Sequence, residues 1–407
     1  MKRMILLVSF IFYTDLSLSL PVRSGEHFRV AIDGQYIVKA PQYLIQEKVL
    51  KRIGENLFLI ETDGEALSST YSKIYPNYQY FGDYLEGKPT SPNDTYFSKQ
   101  VHHSQILTLE AWNITQGDQS IIVAVTDNEF QLDHKDLEHS LWKNEKEIPD
   151  NGIDDDQNGY IDDIYGWDFL GNDNNVDSTE DPTHGTHVSG IITALDNNSY
   201  GGVGIAPKVK LMPLRWYGSD GDWTTAVIAE TYLYAINHGA KIISTSYNID
   251  HLVDDQLYRD VVTLARENSI LIFNSAGNNN IENPERQKIE EIILVCSVTS
   301  SYGSKDKKSR SSNYGTGIDI CAPGDPIFST VQIQYGTQDR YAEFSGTSMA
   351  APVAAAVAAL IWSSHLNFSD LEVLDKLYQS ADDLGDKNSS YKGLLGAGRV
   401  NALKAVE

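Results

Sequence analysis

Cysteine and basic residues are scarce in this chain of 407 residues. It has two cysteines, Cys296 and Cys321, so it is not a small domain held together by a disulfide framework. Both lie in predicted strands, where buried free thiols are the default and a bond between them stays open. Lysine and arginine number 32 against 56 acidic residues, a formal net charge of −24. This balance excludes nucleic acid and anionic membranes as partners, because both need basic patches.

Long apolar runs are also lacking beyond the start of the chain. No later run reaches the length needed to cross a bilayer, which predicts no stable membrane association. At the start, Lys2 and Arg3 precede the apolar residues 4–13, and residues 17–19 offer a small-residue cleavage zone. This pattern predicts a signal peptide over residues 1–24 and a secreted protein. The alternative is an N-terminal anchor that is never removed.

A serine near the carboxyl end has the surroundings of a nucleophile. Residues 346–352 read Gly-Thr-Ser-Met-Ala-Ala-Pro and lead into a run of small apolar residues. This predicts Ser348 in the first turn of a buried helix, where unpaired N–H groups and the macrodipole favour a negative oxygen. A serine hydroxyl is a weak nucleophile, so the role requires a base and an orienting carboxylate. The alternative is a serine that only caps the helix.

Candidates for both partners lie upstream. Residues 121–125 predict a buried strand of a parallel sheet, and Asp127 follows its carboxyl end, where open α/β sheets build their sites. His184 opens a second predicted helix. The chain order Asp, His, Ser is that of the subtilisin triad. His184 and His187 share a helix face, but the glutamate of the zinc-protease motif is missing between them, so His187 is predicted to be structural.

These blocks, with Asn278 in Phe-Asn-Ser-Ala-Gly-Asn, resemble the subtilisin-like serine proteases (subtilases, peptidase family S8) from about residue 100 onward. The resemblance implies an endopeptidase that cleaves proteins or peptides through an acyl-enzyme intermediate. Ser348 would attack, His184 would transfer the proton, Asp127 would orient the imidazole, and Asn278 would bind the oxyanion. The implied substrate-binding residues are Ser246, Tyr247, Asn248, Ser275, Ala276 and Gly277.

Two departures from the family pattern bear on activity. Asp127 is followed by Asn128 and Glu129, where the family has Ser or Thr and then Gly. The charge of Glu129 is expected to raise the pKa of the nearby histidine and shift the activity optimum upward. Where the family has Ser-Leu-Gly-Gly, residues 246–249 read Ser-Tyr-Asn-Ile, so added side chains are expected to narrow the cleft or change its subsites. The competing hypothesis is a catalytically silent subtilase fold that binds peptides or calcium.

An acidic stretch between Asp127 and His184 copies the first nine positions of an EF-hand loop. Its side chains alternate around a tight turn, and one backbone carbonyl points inward. The predicted calcium ligands are Asp154, Asp156, Asn158, the carbonyl of Tyr160, Asp162 and Asp163. Tyr165 stands where the EF-hand has its bidentate glutamate. We predict a structural calcium ion; the alternative is a solvated acidic loop.

The sequence before residue 100 resembles the processed region of a zymogen. Residues 25–86 are predicted to form a small α+β unit that resembles the inhibitory pro-domain of subtilases. Its predicted strands cover residues 36–39 and 57–61, and its predicted helices cover residues 44–53 and 66–75. Residues 87–99 form a predicted linker in which maturation would occur.

Beyond it, predicted strands and helices alternate over residues 100–407, the predicted catalytic domain. Strands are predicted at residues 209–214, 241–245, 270–273, 292–298 and 318–322, and helices at 223–237 and 255–267. Such alternation predicts a three-layer α/β/α fold around a mainly parallel sheet. Ser369 and Glu372 form a capping box that predicts a late helix. We expect a secreted, calcium-stabilised monomer that is inhibited by its own pro-domain until maturation.

Overall fold

A computed structural model of the chain describes residues 91–177, 183–218, 224–332 and 341–407 in full, and the backbone of five strands between residues 22 and 81. The chain divides into two compact units, Met1–Lys88 and Pro89–Glu407. Residues 1–21, which include most of the predicted signal peptide, lie outside the described residues.

The described backbone of the first unit is an antiparallel sheet of five strands. The strands are β1 (Val22–Ser24), β2 (His27–Lys39), β3 (Lys48–Gly54), β4 (Leu57–Glu61) and β5 (Lys73–Phe81). Strand β2 pairs with β1, β4 and β5, and β4 also pairs with β3.

Strand β4 confirms the strand predicted at residues 57–61, and the strand predicted at 36–39 is the end of β2. The helix predicted over residues 44–53 is wrong from residue 48, where β3 begins. Its apolar spacing fits a helix, but pairing with β4 overrides this local preference. The helix predicted over residues 66–75 is wrong from residue 73, where β5 begins. The rest of both predicted helices lies outside the described residues.

A seven-stranded sheet forms the centre of the second unit. Its strands are β6 (Ile122–Asp127), β7 (Trp167–Asp168), β8 (Lys210–Arg215), β9 (Ile242–Thr245), β10 (Leu271–Ser275), β11 (Ile292–Thr299) and β12 (Ile320–Asp325). They lie in the order β12-β11-β10-β9-β6-β8-β7, and every neighbouring pair is parallel. The chain leaves β6 toward β7 and β8 on one side and later fills the other side with β9 to β12. Strand β6 is therefore the switch point, outside whose carboxyl end such sheets bind their ligands.

Helices cover both faces of this sheet. They are α1 (Val101–Ile106), α2 (Thr108–Ala111), α3 (Thr183–Thr193), α4 (Thr225–Asn237), α5 (Gln256–Glu267), α6 (Thr347–Ser364), α7 (Asp370–Gln379) and α8 (Ala402–Val406). One apolar cluster joins the sheet to α3, α6, α7 and α8, and a second joins it to α4 and α5. Alternate residues of β6 serve the two clusters, Val123 and Val125 the first and Ala124 the second. The predicted three-layer architecture is confirmed.

Helix α6 is the buried helix that the small-residue run predicted. It has 18 residues and is long and apolar enough to cross a membrane, but 83% of it is buried inside the protein. It packs against β9 to β12 and against α3, α7 and α8. It is therefore the central helix of the core. Immediately before it, β13 (Ile327–Thr330) and β14 (Tyr341–Phe344) form an antiparallel pair.

The two cysteines are register partners on β11 and β12 and form a disulfide between Cys296 and Cys321. The expected default of free thiols is therefore wrong. The capping box at the start of α7 is confirmed, because Ser369 and Glu372 each accept a hydrogen bond from the other's backbone N–H.

Candidate active site

Three predicted residues meet at the switch point of the sheet. Asp127 is the last residue of β6, His184 is the second residue of α3, and Ser348 is the second residue of α6. Nδ1 of His184 lies 2.8 and 2.9 Å from the two carboxylate oxygens of Asp127. The carboxylate is 1% exposed and the imidazole 27%. A buried strand thus presents the acid at its end, and a helix start presents the histidine to it.

The first turn of α3 packs directly on the end of β6. A Cβ at Gly185 would lie 2.3 Å from the carbonyl oxygen of Glu129, which leaves room for glycine alone. The amide oxygen of Asn128 accepts hydrogen bonds from the backbone N–H groups of Glu129 and Gly185, at 2.7 and 3.1 Å. Asn128 therefore serves the backbone of this junction with its oxygen, and its own N–H donates to Asp127 at 2.8 Å.

A tyrosine that the sequence analysis missed also binds the carboxylate. The hydroxyl of Tyr217 donates a hydrogen bond to Oδ1 of Asp127 at 3.0 Å. Its ring lies edge-on to Trp216, 4.8 Å between centroids. Tyr217 follows β8 in a stretch without a recognisable motif, so only the pairing of β8 with β6 brings it to the site.

The pKa of His184 is raised above its ordinary value of 6.5. Burial lowers it, but the charge of Asp127 and the hydrogen bond from that carboxylate together outweigh burial. Glu129 plays no part in this shift. The upward direction expected from the sequence is thus present, but the expected cause is wrong.

The charge of Glu129 is compensated inside the protein. Nη2 of Arg215 donates to the Glu129 carboxylate at 3.0 Å, and Nη1 of the same arginine donates to Asp168. All three side chains are at most 10% exposed. Arg215 and Asp168 end the neighbouring strands β8 and β7. The glutamate that departs from the family pattern is therefore one member of a buried cluster of three charges.

Ser348 lies in a cleft of about 500 Å³. The cleft is lined by His184, Glu343, Phe344, Ser345, Ser348 and Met349. The hydroxyl of Ser348 donates to the carbonyl of Ser246 at 3.1 Å, and the hydroxyl of Ser246 donates back to the carbonyl of Ser348 at 3.0 Å. Among the described residues, the Ser348 hydroxyl makes this hydrogen bond and none to the histidine.

Asn278 lies beside the amino end of α6. Its Oδ1 accepts hydrogen bonds from the N–H and the hydroxyl of Thr347, at 2.9 and 3.0 Å. Because both partners are donors here, the accepting atom is the amide oxygen, which leaves the NH₂ group on the other side. Asn278 is exposed, and its NH₂ group makes no hydrogen bond with the described residues. A donor is therefore held near Ser348 without a protein acceptor.

His187 lies on the core side of α3. Its Nε2–H donates to the carbonyl of Ala342 at 3.2 Å, and its ring stacks on Phe344 at 4.4 Å between centroids. Burial lowers the pKa of His187 to about 3, so the ring is neutral. The prediction that His187 is structural agrees with these contacts, which hold β14 against the helix.

The predicted substrate-binding residues form two neighbouring segments. Ser246, Tyr247 and Asn248 follow β9, and Ser275, Ala276 and Gly277 end β10 and follow it. Tyr247 packs on Trp216 at 4.3 Å between ring centroids, and Ala276 is buried. Gly277 has a φ of 101° and its N–H donates to the hydroxyl of Thr347 at 3.1 Å.

The expectation that both side chains replacing the usual glycines change the cleft is wrong for one of them. Ile249 is 0% exposed and belongs to the core around α4 and α5. Asn248 is exposed, but its amide oxygen accepts from the N–H of Asp250 at 2.8 Å and from Arg286 at 2.6 Å. Arg286 was missed by the sequence analysis because no local motif marks it.

The acidic loop brings three carboxylates together. Oxygen atoms of Glu147, Asp154 and Asp156 lie within 4.8 Å of one another. Glu147 was not predicted, because it precedes the alternating pattern. Its oxygens accept from the N–H groups of Asp156 and Asp162 at 3.0 and 3.2 Å. It thus supplies a buried carboxylate to a loop whose usual glutamate position is occupied by Tyr165.

The other predicted ligands bind within the loop and its support. Asp163 accepts from Tyr234, Asn144 and Asn158, and burial raises its pKa. Asp162 accepts from two backbone N–H groups, those of residues 151 and 152. The ring of Tyr160 packs edge-on to Tyr234 at 5.0 Å between centroids. These contacts anchor the loop on α4.

Known proteins with similar sequences share this arrangement of blocks. The family model described as the subtilase family, peptidase S8, matches residues 118–398. A thermophilic serine proteinase of Bacillus sp. (strain AK1) is 31% identical over 80% of this chain and 71% of its own. Thermitase of Thermoactinomyces vulgaris is 32% identical over 78% of this chain and 99% of its own. A solved protease from Pseudoalteromonas arctica PAMC 21717 has the same fold, with a TM-score of 0.61 at 24% identity over 78% of this chain and 99% of its own.

We expect the substitution Asp127→Asn to lower the pKa of His184 from above 6.5 to below it, because burial then acts alone. NMR titration of the ring in a Ser348→Ala background measures this without self-digestion. In the parent, protonated His184 stabilises the fold fully below its unfolded pKa of about 6.5, and this stabilisation is lost as pH rises through the higher folded pKa. Asp118→Asn, near the other end of β6, is the control; an equal pKa in parent and Asp127→Asn contradicts the assignment.

We expect Arg215→Met to destabilise the protein by about 3–5 kcal/mol, since it leaves two buried carboxylates unpaired. Glu129→Gln leaves Arg215 bound to Asp168 and should cost only about 1–3 kcal/mol. Urea unfolding of both variants in the Ser348→Ala background compares them. Equal losses, or a changed His184 pKa in Glu129→Gln, would show that the cluster does not work in this way.

Proposed function

Since this chain belongs to the subtilase family of serine proteases, we propose that Asp127, His184 and Ser348 carry its hydrolysis of peptide bonds. The observation that supports this most directly is the double contact of His184 Nδ1 with the Asp127 carboxylate, beside a serine in the first turn of α6. The substrates are proteins or peptides, as the protease family implies.

The contact with Asp127 fixes the tautomer of the base. Nδ1–H donates to the carboxylate, so Nε2 carries the lone pair that accepts a proton. The Ser348 hydroxyl turns from the Ser246 carbonyl toward Nε2, and its oxygen attacks the peptide carbonyl carbon as the proton moves to the ring. The imidazolium, stabilised by Asp127, then gives this proton to the leaving amine. Water, deprotonated by the same nitrogen, cleaves the acyl-enzyme and returns the proton to Ser348.

The negative oxygen that forms during attack needs donors that are already in place. The NH₂ group of Asn278 and the backbone N–H of Ser348 fit this role at the amino end of α6. The positive end of the helix macrodipole adds to the stabilisation. Thr347 holds the amide oxygen of Asn278, so little reorganisation is required when the charge develops.

The competing hypothesis of a silent binding fold loses its main motives. Glu129 is compensated by Arg215, and Ile249 lies in the core, so neither adds charge or bulk to the cleft. A binding module has no physical need for a histidine held by a buried carboxylate beside a serine. These points support an active enzyme.

We propose that the enzyme is secreted as a zymogen and stabilised by calcium. Residues 25–86 would act as its inhibitory pro-domain until cleavage within residues 87–99, after which a monomer remains. Glu147, Asp154 and Asp156 fit a hard cation, because three carboxylates in one place repel each other unless a positive charge joins them. Bound calcium would hold the loop closed against local unfolding and self-cleavage.

The function is tested by reaction with a fluorophosphonate probe, read by intact mass. The mature protein should gain one probe, and Ser348→Ala should gain none, because only an activated serine reacts. Ser246→Ala is a matched control, since it removes the neighbouring hydroxyl and keeps the proposed nucleophile. A mature, calcium-supplied parent that stays unlabelled would favour the silent binding fold.

Calcium should raise the unfolding temperature of the Ser348→Ala protein, and a chelator should reverse the effect. Glu147→Gln should weaken calcium binding by at least about tenfold, because it removes one of three ligand charges. Glu145→Gln is the control, since that side chain is 80% exposed and lies two residues away. Calorimetric titration measures both variants. Identical affinities in the two would exclude Glu147 as a ligand.

A further inference from the structure

A buried arginine lies behind the two substrate-binding segments. Arg286 belongs to the short 3₁₀ turn Glu285–Lys288 between β10 and β11, and its side chain is 2% exposed. A guanidinium carries five N–H groups, and burial makes each unpaired one costly. Their acceptors are the carboxylate of Asp250, the side-chain oxygens of Asn248 and Asn274, and the carbonyl of Ser275.

These acceptors come from both segments. Asn248 and Asp250 lie on the segment after β9, at 2.6 Å from Nη2 and at 2.9 Å from Nε and Nη2. The Ser275 carbonyl lies at the end of β10, 2.6 Å from Nη1. One planar group therefore connects two chain segments at fixed separation, which a flexible ammonium cannot reproduce.

Direct recognition of an acidic substrate does not explain Arg286. All five N–H groups have acceptors within the described residues, and the side chain has almost no exposed surface. The carboxylate of Asp250 already balances its charge, through two side-chain hydrogen bonds and one from the Arg286 backbone N–H. What remains for Arg286 is the placement of the segments that it joins.

We propose that Arg286 is a positioning residue that sets the width of the substrate cleft and thereby the choice of substrate side chain before the cleaved bond. The proposal rests on the proposed peptidase function. Ser275, Ala276 and Gly277 lead directly to Asn278, so a shift of the Ser275 carbonyl also moves the proposed oxyanion donor. The asparagine at position 248, where the family has a glycine, is the acceptor that completes this connection.

The test compares Arg286→Lys, Arg286→Met and the charge-balanced double variant Arg286→Met/Asp250→Asn, which avoids an unpaired buried carboxylate. Steady-state kinetics use peptides that differ only in the residue before the cleaved bond. We expect KM to rise by about tenfold or more and the discrimination among these peptides to shrink, while kcat falls less. Labelling by a small fluorophosphonate, which has no peptide side chain, should stay within about twofold of the parent.

Arg259→Met is the matched control, because Arg259 donates to the Lys288 carbonyl of the same turn at 2.8 Å and touches neither segment. It should keep the parent's KM and discrimination. Folded variants, including Arg286→Lys, with the parent's KM and discrimination would overturn the proposal. A parent that fails to label would instead overturn the peptidase function, and the positioning role with it. Loss of labelling and discrimination together in the variants would identify a general structural role rather than positioning.

Discussion

The contact between the end of β6 and the first turn of α3 determines most of the site. Because no Cβ fits between Gly185 and the Glu129 carbonyl, the helix starts at one distance from the sheet. Asp127 and His184 then meet without further adjustment, and Asn128 satisfies the backbone N–H groups that this close approach buries. The position of the imidazole is thus fixed by backbone packing before any side-chain preference acts.

Much of this site could be predicted from the sequence, since the residues that define it stand at strand ends and helix starts. Apolar runs located β6 and α6, and short motifs located His184 and Ser348. Charge partners were not predictable in this way. Glu129 looked like an uncompensated charge because Arg215 lies far along the chain and reaches it only through the pairing of β6 with β8.

The same limit explains the other omissions. Tyr217, Glu147 and Arg286 act through contacts that depend on strand order or loop closure, and no spacing rule marks them. In the first unit, the apolar positions of residues 48–54 suit a helix locally, and only their partner strand decides against it. Local patterns therefore identified the residues proposed to react, whereas the residues that hold them in place needed the fold.

The burial of α6 has a consequence for how the enzyme would lose activity. Ser348 begins a helix that packs against four central strands and three other helices, so its backbone belongs to the most cooperative part of the molecule. Fraying of loops or of the outer helices does not displace it. Inactivation by heat and melting of the core are consequently one event, and protection of the core protects the nucleophile.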